Sequence, residues 1–457
     1  MATMHNAAIT SFIARVACCP TRAFVFGVRM NSLLATIRLF VVLGTILLVC
    51  ADASAASSNQ YPKGLRDALA EAAANNPDIL AARNEVEAAQ HRVASAGALD
   101  DPMLEAGIID LPTRSLSFKR EDMTQKMIGL SQRIPYPGKR ALRETIADRE
   151  ADTRRFAYHE VMNRVSRDVK RAYFDLALTR ESARLTEKNR SVLAQFLDTA
   201  SSRYEVGQAT QADVLKAQTQ VAKMTDELLK LAREQQNMEA ELNRAVGRGD
   251  NKRTPQSELP VLRAVSISLE ALQTQAHSSR PQFQSLQSAI TRNDGAVELA
   301  RKEYFPDFDV KFSYGQRDRT PMGERRDDMI SLTVAVNLPV WGKQKLEPRV
   351  LEAIAMRDQA TSMARGFQNE MNARLRQEIA NQEQSFKSAR LYENVVLPQA
   401  RLTVESSLVA YQVNRVDLFT LLDNQMTVFN YEIAYVSAVV NQAKALAEIE
   451  FVIGKEL

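Results

Sequence analysis

Shifted by 204 residues, the second part of this 457-residue chain falls on the first. Leu65 meets Leu269, Pro77 meets Pro281 and Pro102 meets Pro306. Pro135 then meets Pro339, Gly138 meets Gly342 and Lys139 meets Lys343. Later the shift becomes 207: Tyr204 falls on Tyr411, Val206 on Val413, Leu215 on Leu422, Gln218 on Gln425 and Gly247 on Gly454. Agreement at this many proline and glycine positions marks a tandem duplication. Whatever the chain folds into is built twice. The predicted organisation is a leader, 1–55 (with Met30 as an alternative start), a first repeat, 62–248, a linker, 249–268, and a second repeat, 269–457.

Each repeat reads in the same order. A polar helix comes first, 65–98 or 269–303, then two short strands, then a very long helix, about 140–203 or 344–411. A last helix closes it, about 209–247 or 416–453. In the second repeat Phe308, Val310, Phe312 and Tyr314 alternate with polar residues. So do Ile330, Leu332, Val334, Val336 and Leu338. Period two over about ten residues suits a tilted strand crossing a bilayer. The other reading is an ordinary hairpin on a soluble core. Four strands cannot close a barrel, and open edges are not tolerated in lipid, so strands in a membrane require several chains to share one barrel.

The last helices carry a second pattern. Val214, Ala217, Val221, Met224, Leu228, Leu231, Gln235, Met238, Leu242 and Ala245 step by three and four. Their repeat counterparts run from Leu421 to Val452. These are coiled-coil seams. Sixty-odd helical residues span about 95 Å at ~1.5 Å per residue, wider than a single globular domain. The geometry asks for a rod or a tube.

Composition narrows the function. Charged residues are 25%, but the formal net charge is only +4, so no basic stripe points to nucleic acid. Leu39 to Val49 is an apolar run of eleven after Arg38, followed by Ala51, Ala53, Ser54 and Ala55, the order of a secretory signal. The three cysteines, Cys18, Cys19 and Cys50, lie in this leader, so disulfides and thiolate metal sites are not expected in the mature chain. Lipidation at Cys50 is the alternative, although bulky Val49 stands where such cleavage sites carry a small residue. His5, His91, His159 and His277 have no metal-ligand spacing, and no phosphate loop, nucleophile elbow or zinc-protease motif is present. The expectation is a protein without catalytic residues, metal site or cofactor.

The segments GLSQRIPYPGKR (129–140), NLPVWGKQKL (337–346), KEYFPDFDVKFSYG (302–315) and RYEVGQATQADVLKAQ (203–218) resemble the outer-membrane efflux protein family, of TolC type. The Pro-x-x-Gly-Lys form is most similar to its heavy-metal cation branch, of CzcC and CusC type. The resemblance implies a mainly α fold with a small β part: long coiled-coil helices forming a tube, and four strands per chain contributing to a twelve-stranded trimeric barrel. It implies an outer-membrane channel extending into the periplasm, a homotrimer among outer-membrane lipid. Its partners would be a periplasmic adaptor (membrane fusion protein) and an inner-membrane RND-type pump. Cargo would be heavy-metal cations; organic drugs are the alternative cargo, and a soluble periplasmic scaffold the alternative function. By position, Val206, Gly207 and Gln208, with Val413, Asn414 and Arg415, form the adaptor-facing tips. Asp423 matches a gate carboxylate, and Asp213 and Tyr411 a linking pair. Thr420 replaces a second gate acid, for which nearby Asp417 is a substitute. Pro135, Gly138, Pro339 and Gly342 are expected as structural strand-to-helix turns.

Overall fold

The computed structural model describes residues 61–249, 257–265 and 268–457. The leader and part of the linker lie outside the described residues. Tyr61–Leu457 forms one unit. Its elements are α1 (Lys63–Asn75), α2 (Pro77–Gly97), β1 (Met103–Ile109), β2 (Gln125–Ile134), α3 (Lys139–Glu205), α4 (Gln211–Val246), α5 (Leu269–Ser279), α6 (Pro281–Lys302), β3 (Phe308–Gln316), β4 (Met329–Val336), α7 (Glu347–Leu391), α8 (Leu397–Gln412) and α9 (Leu418–Ile453). Chain order is thus two helices, two strands and long helices, and then the same succession again.

The single polar helix expected at the start of each repeat is two helices. Asn76 caps α2, its side chain accepting from the Asp78 and Ile79 backbone N–H groups, with Pro77 in the first turn. Pro281 likewise stands in the first turn of α6, although Arg280 before it makes no side-chain cap. Proline suits a first turn, where its missing N–H would have had no partner, but it cannot continue the preceding helix. The second long helix is also broken. π-helical turns occupy Gly342–Leu346 and Tyr392–Val396. Each precedes a proline by two residues, Pro348 and Pro398. Proline removes a backbone donor, and a wider turn accommodates the loss. The first long helix, α3, has no proline and runs unbroken for 67 residues, about 100 Å at ~1.5 Å per residue.

The strands form one antiparallel sheet in the order β1-β2-β3-β4. The central pair, β2 with β3, joins the two repeats, with Leu130 opposite Phe312 and Ile128 opposite Tyr314. The seam of α4 is buried at Ala217, Met224, Leu242 and Ala245 and half-buried between them. Ala217, Met224, Leu421, Leu422 and Phe429 share one apolar cluster with Leu193 and Phe196 of α3. A second cluster gathers Leu65, Val169, Tyr173, Leu176 and Leu242 around Val440 of α9. Among the described residues, no helix is long and apolar enough to cross a membrane.

Candidate functional site

Two helical tips lie at one end of the coils. α3 ends at the first, where Gly207 has φ 75°. Its N–H donates to Tyr204 O at 2.9 Å, and Gln208 N–H donates to Arg203 O at 2.8 Å. α8 ends the same way: Asn414 has φ 61°, its N–H donates to Tyr411 O at 3.1 Å, and Arg415 N–H donates to Ala410 O at 2.9 Å. Both are left-handed helix caps of the same hydrogen-bond pattern. Val206 and Val413 stand exposed at their apices.

Arg203 ties the tips together. Its guanidinium donates to Tyr411 O at 2.6 Å and to Asn414 Oδ1, and lies 4.6 Å from the Tyr411 ring centroid. Asn414, where the first tip has Gly207, therefore gains an acceptor for the arginine while tolerating the left-handed backbone. Sequence reasoning did not single out Arg203. The available signal was its asymmetry, because its counterpart under the 207-residue shift is Ala410. The same asymmetry separates the tyrosines: Tyr411 is buried, whereas Tyr204 is exposed.

The expected linking pair is not hydrogen-bonded. Asp213 is engaged in a capping box with Thr210, accepting from its backbone N–H at 3.0 Å and its hydroxyl at 2.8 Å. The buried Tyr411 hydroxyl has no hydrogen-bond partner among the described residues. Burial, reinforced by nearby Asp213, pushes that phenol above its ordinary value against the opposing effect of Arg203.

Asp417 does not stand free as a substitute gate acid; it caps α9, accepting from Thr420 N–H at 2.9 Å. Hydrogen bonds from the Thr420 side chain and backbone hold its carboxyl below its ordinary value of 3.8. A depressed folded-state value means that the cap stabilises above the unfolded value and is lost as pH falls through the folded one. Relative to the intrinsic exchange rate at each pH, amide protection in the first turn of α9 is expected to hold from neutral pH down to 3.8 and to fall only below it. Asp417→Ala should show the lower protection already at neutral pH. Asp423 is exposed on α9, and its carboxylate takes no hydrogen bond or ion pair among the described residues. Phe419, one turn before it, is half exposed, with Lys216 Nζ 3.6 Å from its ring centroid.

At the other end the helices meet the sheet. Pro135 lies in the connection from β2, and Gly138 caps α3 with φ 88°. Gly342 does not repeat this conformation; it opens a π-helical turn instead, forced by Pro348 downstream. Pro339 lies between β4 and that turn. Lys139 is buried and joins the repeats, its Nζ donating to Phe305 O at 2.8 Å and to Asp307 Oδ1 at 2.7 Å. Tyr136 stacks on Phe305 with ring centroids 4.6 Å apart.

The sheet has unusual faces. One carries the row Leu104, Leu130, Phe312 and Leu332, and beside it Ala106, Ile128, Tyr314 and Ile330. This apolar face is the exposed one: Leu104 and Leu332 are each 71% exposed. The other carries Glu105, Gly129, Ser313 and Ser331, then Ser131, Lys311 and Thr333, with Lys311 paired to Glu105. It is sheltered at its centre, with Ser131 6% and Ser313 8% exposed, whereas Ser331 and Thr333 on edge strand β4 are exposed. Polar inside and apolar outside is the reverse of a soluble sheet. Among the described residues, no three His, Cys, Asp or Glu side chains converge on a metal-sized site.

Residues 68–248 match the model of the outer membrane efflux protein family. The chain carries an outer membrane efflux protein domain. It is 22% identical over 395 residues to the cobalt-zinc-cadmium resistance protein CzcC of Cupriavidus metallidurans, covering 86% of this chain and 90% of that protein. Its fold matches the outer membrane protein VceC of Vibrio cholerae, with a TM-score of 0.73, 17% identity, 86% of this chain and 96% of that one covered. It also matches CusC, with a TM-score of 0.72, 13% identity, and 87% and 96% covered. The mainly helical fold with a small four-stranded sheet is therefore that of TolC-type outer-membrane channels, and the family and its structural neighbours are channels rather than enzymes.

Proposed function

We propose that three copies form the outer-membrane duct of a tripartite efflux system, passively conducting heavy-metal cations across the periplasm and outer membrane. A periplasmic adaptor and an inner-membrane RND-type pump would feed it at the tips, around Val206, Gly207, Gln208, Val413, Asn414 and Arg415. The observation that carries this reading is the inverted sheet with both edges open. Its apolar face suits lipid, and its polar face suits a water-filled lumen. Open edges in lipid leave backbone groups unpaired, at a cost of several kcal/mol each, so β1 and β4 require further strands. Likeness to CzcC supports metal cations as cargo.

The test is the mass of the purified full chain in detergent, with its membrane of origin. A detergent-dependent trimer from the outer-membrane fraction is expected. A detergent-independent monomer in the soluble periplasm would overturn the reading.

Asp423 is the gate carboxylate of this proposal. Repeated by threefold symmetry in a narrow pore, it concentrates cations and resists anions. Asp423→Asn in planar bilayers is expected to lower the cation-to-anion permeability ratio by about twofold or more. An unchanged ratio would remove Asp423 from the pore.

A further inference from the structure

The two strand-to-helix junctions differ in what they carry. Under the 204-residue shift Trp341, Lys345 and Arg349 fall on Pro137, Ala141 and Thr145. Trp341 is the chain's single tryptophan, and it stands 65% exposed. A cavity of about 320 Å³ lies beside it, walled by the start of α3, the end of α6, the segment after β4 and the π-helical turn. Four cations line it, Lys139, Arg143, Lys345 and Arg349, against two acids, Glu303 and Asp307. Both acids are taken: Asp307 by Lys139 at 2.7 Å, and Glu303 by Arg349 at 2.7 Å. The side chains of Arg143 and Lys345 have no hydrogen bond or ion pair among the described residues. The cavity therefore carries two spare positive charges.

Its position follows from the sheet. Asn337 N–H donates to Asp307 O at 3.3 Å, so the β3–β4 ladder runs one residue past Val336. Side chains alternate along a strand, which puts Leu338 on the same side as Val334 and Val336. Leu338 lines the cavity and is exposed. The cavity thus adjoins the apolar face of the sheet, at the end where the helices begin.

We infer that this cavity holds the phosphate of an anionic phospholipid of the periplasmic leaflet, between Arg143 and Lys345, with the Trp341 indole beside the lipid's glycerol. The inference rests on the shared-barrel reading, which makes the apolar face the lipid-facing one, and adds a ligand to it. Three properties select this occupant. Spare basic groups at a membrane surface attract anionic headgroups. An indole is favoured at the level where headgroup gives way to hydrocarbon. Leu338 joins the cavity to the lipid-facing band, so acyl chains leave it without crossing polar surface. A zwitterionic headgroup brings a cation of its own, which the spare charges repel. A free phosphate would gain nothing from the indole or from Leu338.

Trp341, as the single tryptophan, reports on the site directly. The full chain is reconstituted in vesicles of equal parts phosphatidylcholine and phosphatidylglycerol, with bromine high on the acyl chains of one lipid or the other. Bromine quenches indole fluorescence on contact. Quenching by the brominated phosphatidylglycerol is expected to exceed that by the brominated phosphatidylcholine by about threefold or more, because each basic side chain near the surface adds to the preference. The double variant Arg143→Gln with Lys345→Gln should bring the two lipids near parity at unchanged oligomer mass, since neither side chain holds an ion pair within the chain. Lys119→Gln with Arg120→Gln, in the β1–β2 loop, removes the same charge elsewhere and should leave the preference intact. Equal quenching in the parent protein, or a preference that survives in the Arg143–Lys345 double variant, would overturn the site. Excess inorganic phosphate, compared with chloride at the same ionic strength, should not change the preference; its abolition would assign the cations to a free anion and overturn the lipid. A detergent-independent monomer by mass would overturn the shared-barrel reading, whereas a trimer without the preference would overturn this site alone.

Discussion

Glu450→Leu is expected to destabilise the folded chain by about 3–5 kcal/mol, the cost of leaving one member of a buried ion pair without its partner. Lys170 of α3 and Glu450 of α9 lie 2.7 Å apart, their side chains 3% and 5% exposed. The Tyr61 hydroxyl donates to the same carboxylate at 2.7 Å, and its ring lies 4.6 Å from Lys170 Nζ. Burial, reinforced by the adjacent Glu450 charge, pushes the Tyr61 phenol far above its ordinary value, so it stays protonated and donating. Leucine at 450 removes the acceptor of three donors at once, since the Leu457 N–H also donates to it at 3.3 Å. Glu456, 3.6 Å from Lys170 but half exposed, is a poor substitute. Adding Lys170→Met should recover most of the loss, because two apolar groups of similar volume leave no charge stranded. Denaturant midpoints of the purified protein in detergent measure both effects. A Glu450→Leu protein as stable as the parent would mean that water reaches this pair.

Much of the fold was legible in the sequence because periodicity is a local property. The alternation around Phe312 and Leu332 gave the second hairpin almost residue for residue, since each strand must segregate two faces along its own length. The heptad seam from Val214 to Ala245 gave α4 for the same reason. The helix breaks at Asn76 and Arg280 were passed over, although Pro77 and Pro281 follow them. The apolar pattern on either side is too weak to show that the axis turns. The π-helical turn at Tyr392–Val396 was equally hidden, because a single wide turn shifts the helical phase too little to disturb a pattern read over many residues.

The site divides along the same line. The tips could be placed because Gly207 and Asn414 each satisfy a local backbone requirement, a left-handed residue ending a helix. Arg203 could not, since its partners Tyr411 and Asn414 lie more than two hundred residues away. Family likeness paired Asp213 with Tyr411; within the chain Asp213 accepts from Thr210 instead. A carboxylate three residues after Thr210 is already claimed by its own helix terminus. The same competition removed Asp417 from the list of free acids. Of the four site residues named around the gate, only Asp423 keeps an exposed carboxylate with no hydrogen bond or ion pair among the described residues, and it sits in the second turn of α9, past the reach of the cap. The Lys170–Glu450 pair lay further still from view, because the partners are 280 residues apart.

Gly454→Ala is expected to cost about 2–5 kcal/mol, and Gly247→Ala about as much, whereas Gly207→Ala should cost only about 1–2 kcal/mol. All three glycines end helices in the left-handed region, with φ of 74°, 82° and 75°. An alanine therefore meets the same intrinsic penalty at each. What differs is the space. A Cβ at Gly454 would lie 2.9 Å from Ser279 O and 3.1 Å from both Arg280 Cα and Pro281 Cδ. One at Gly247 would lie 2.8 Å from Asn76 Cα and 2.9 Å from Pro77 Cδ. These neighbours are backbone and proline ring at the start of α6 and of α2, which cannot swing aside as a flexible side chain would. One at Gly207 would meet nothing within 4 Å. The aligned Pro–Gly pairs of the two repeats are thus one contact made twice: the end of the last helix of each repeat seats against the proline that starts that repeat's second helix. Denaturant midpoints of the three variants separate conformation from contact. A Gly454→Ala protein no less stable than Gly207→Ala would mean that α6 shifts away without loss. In that case backbone conformation alone, rather than the docking of one helix end on another, would account for glycine at these positions.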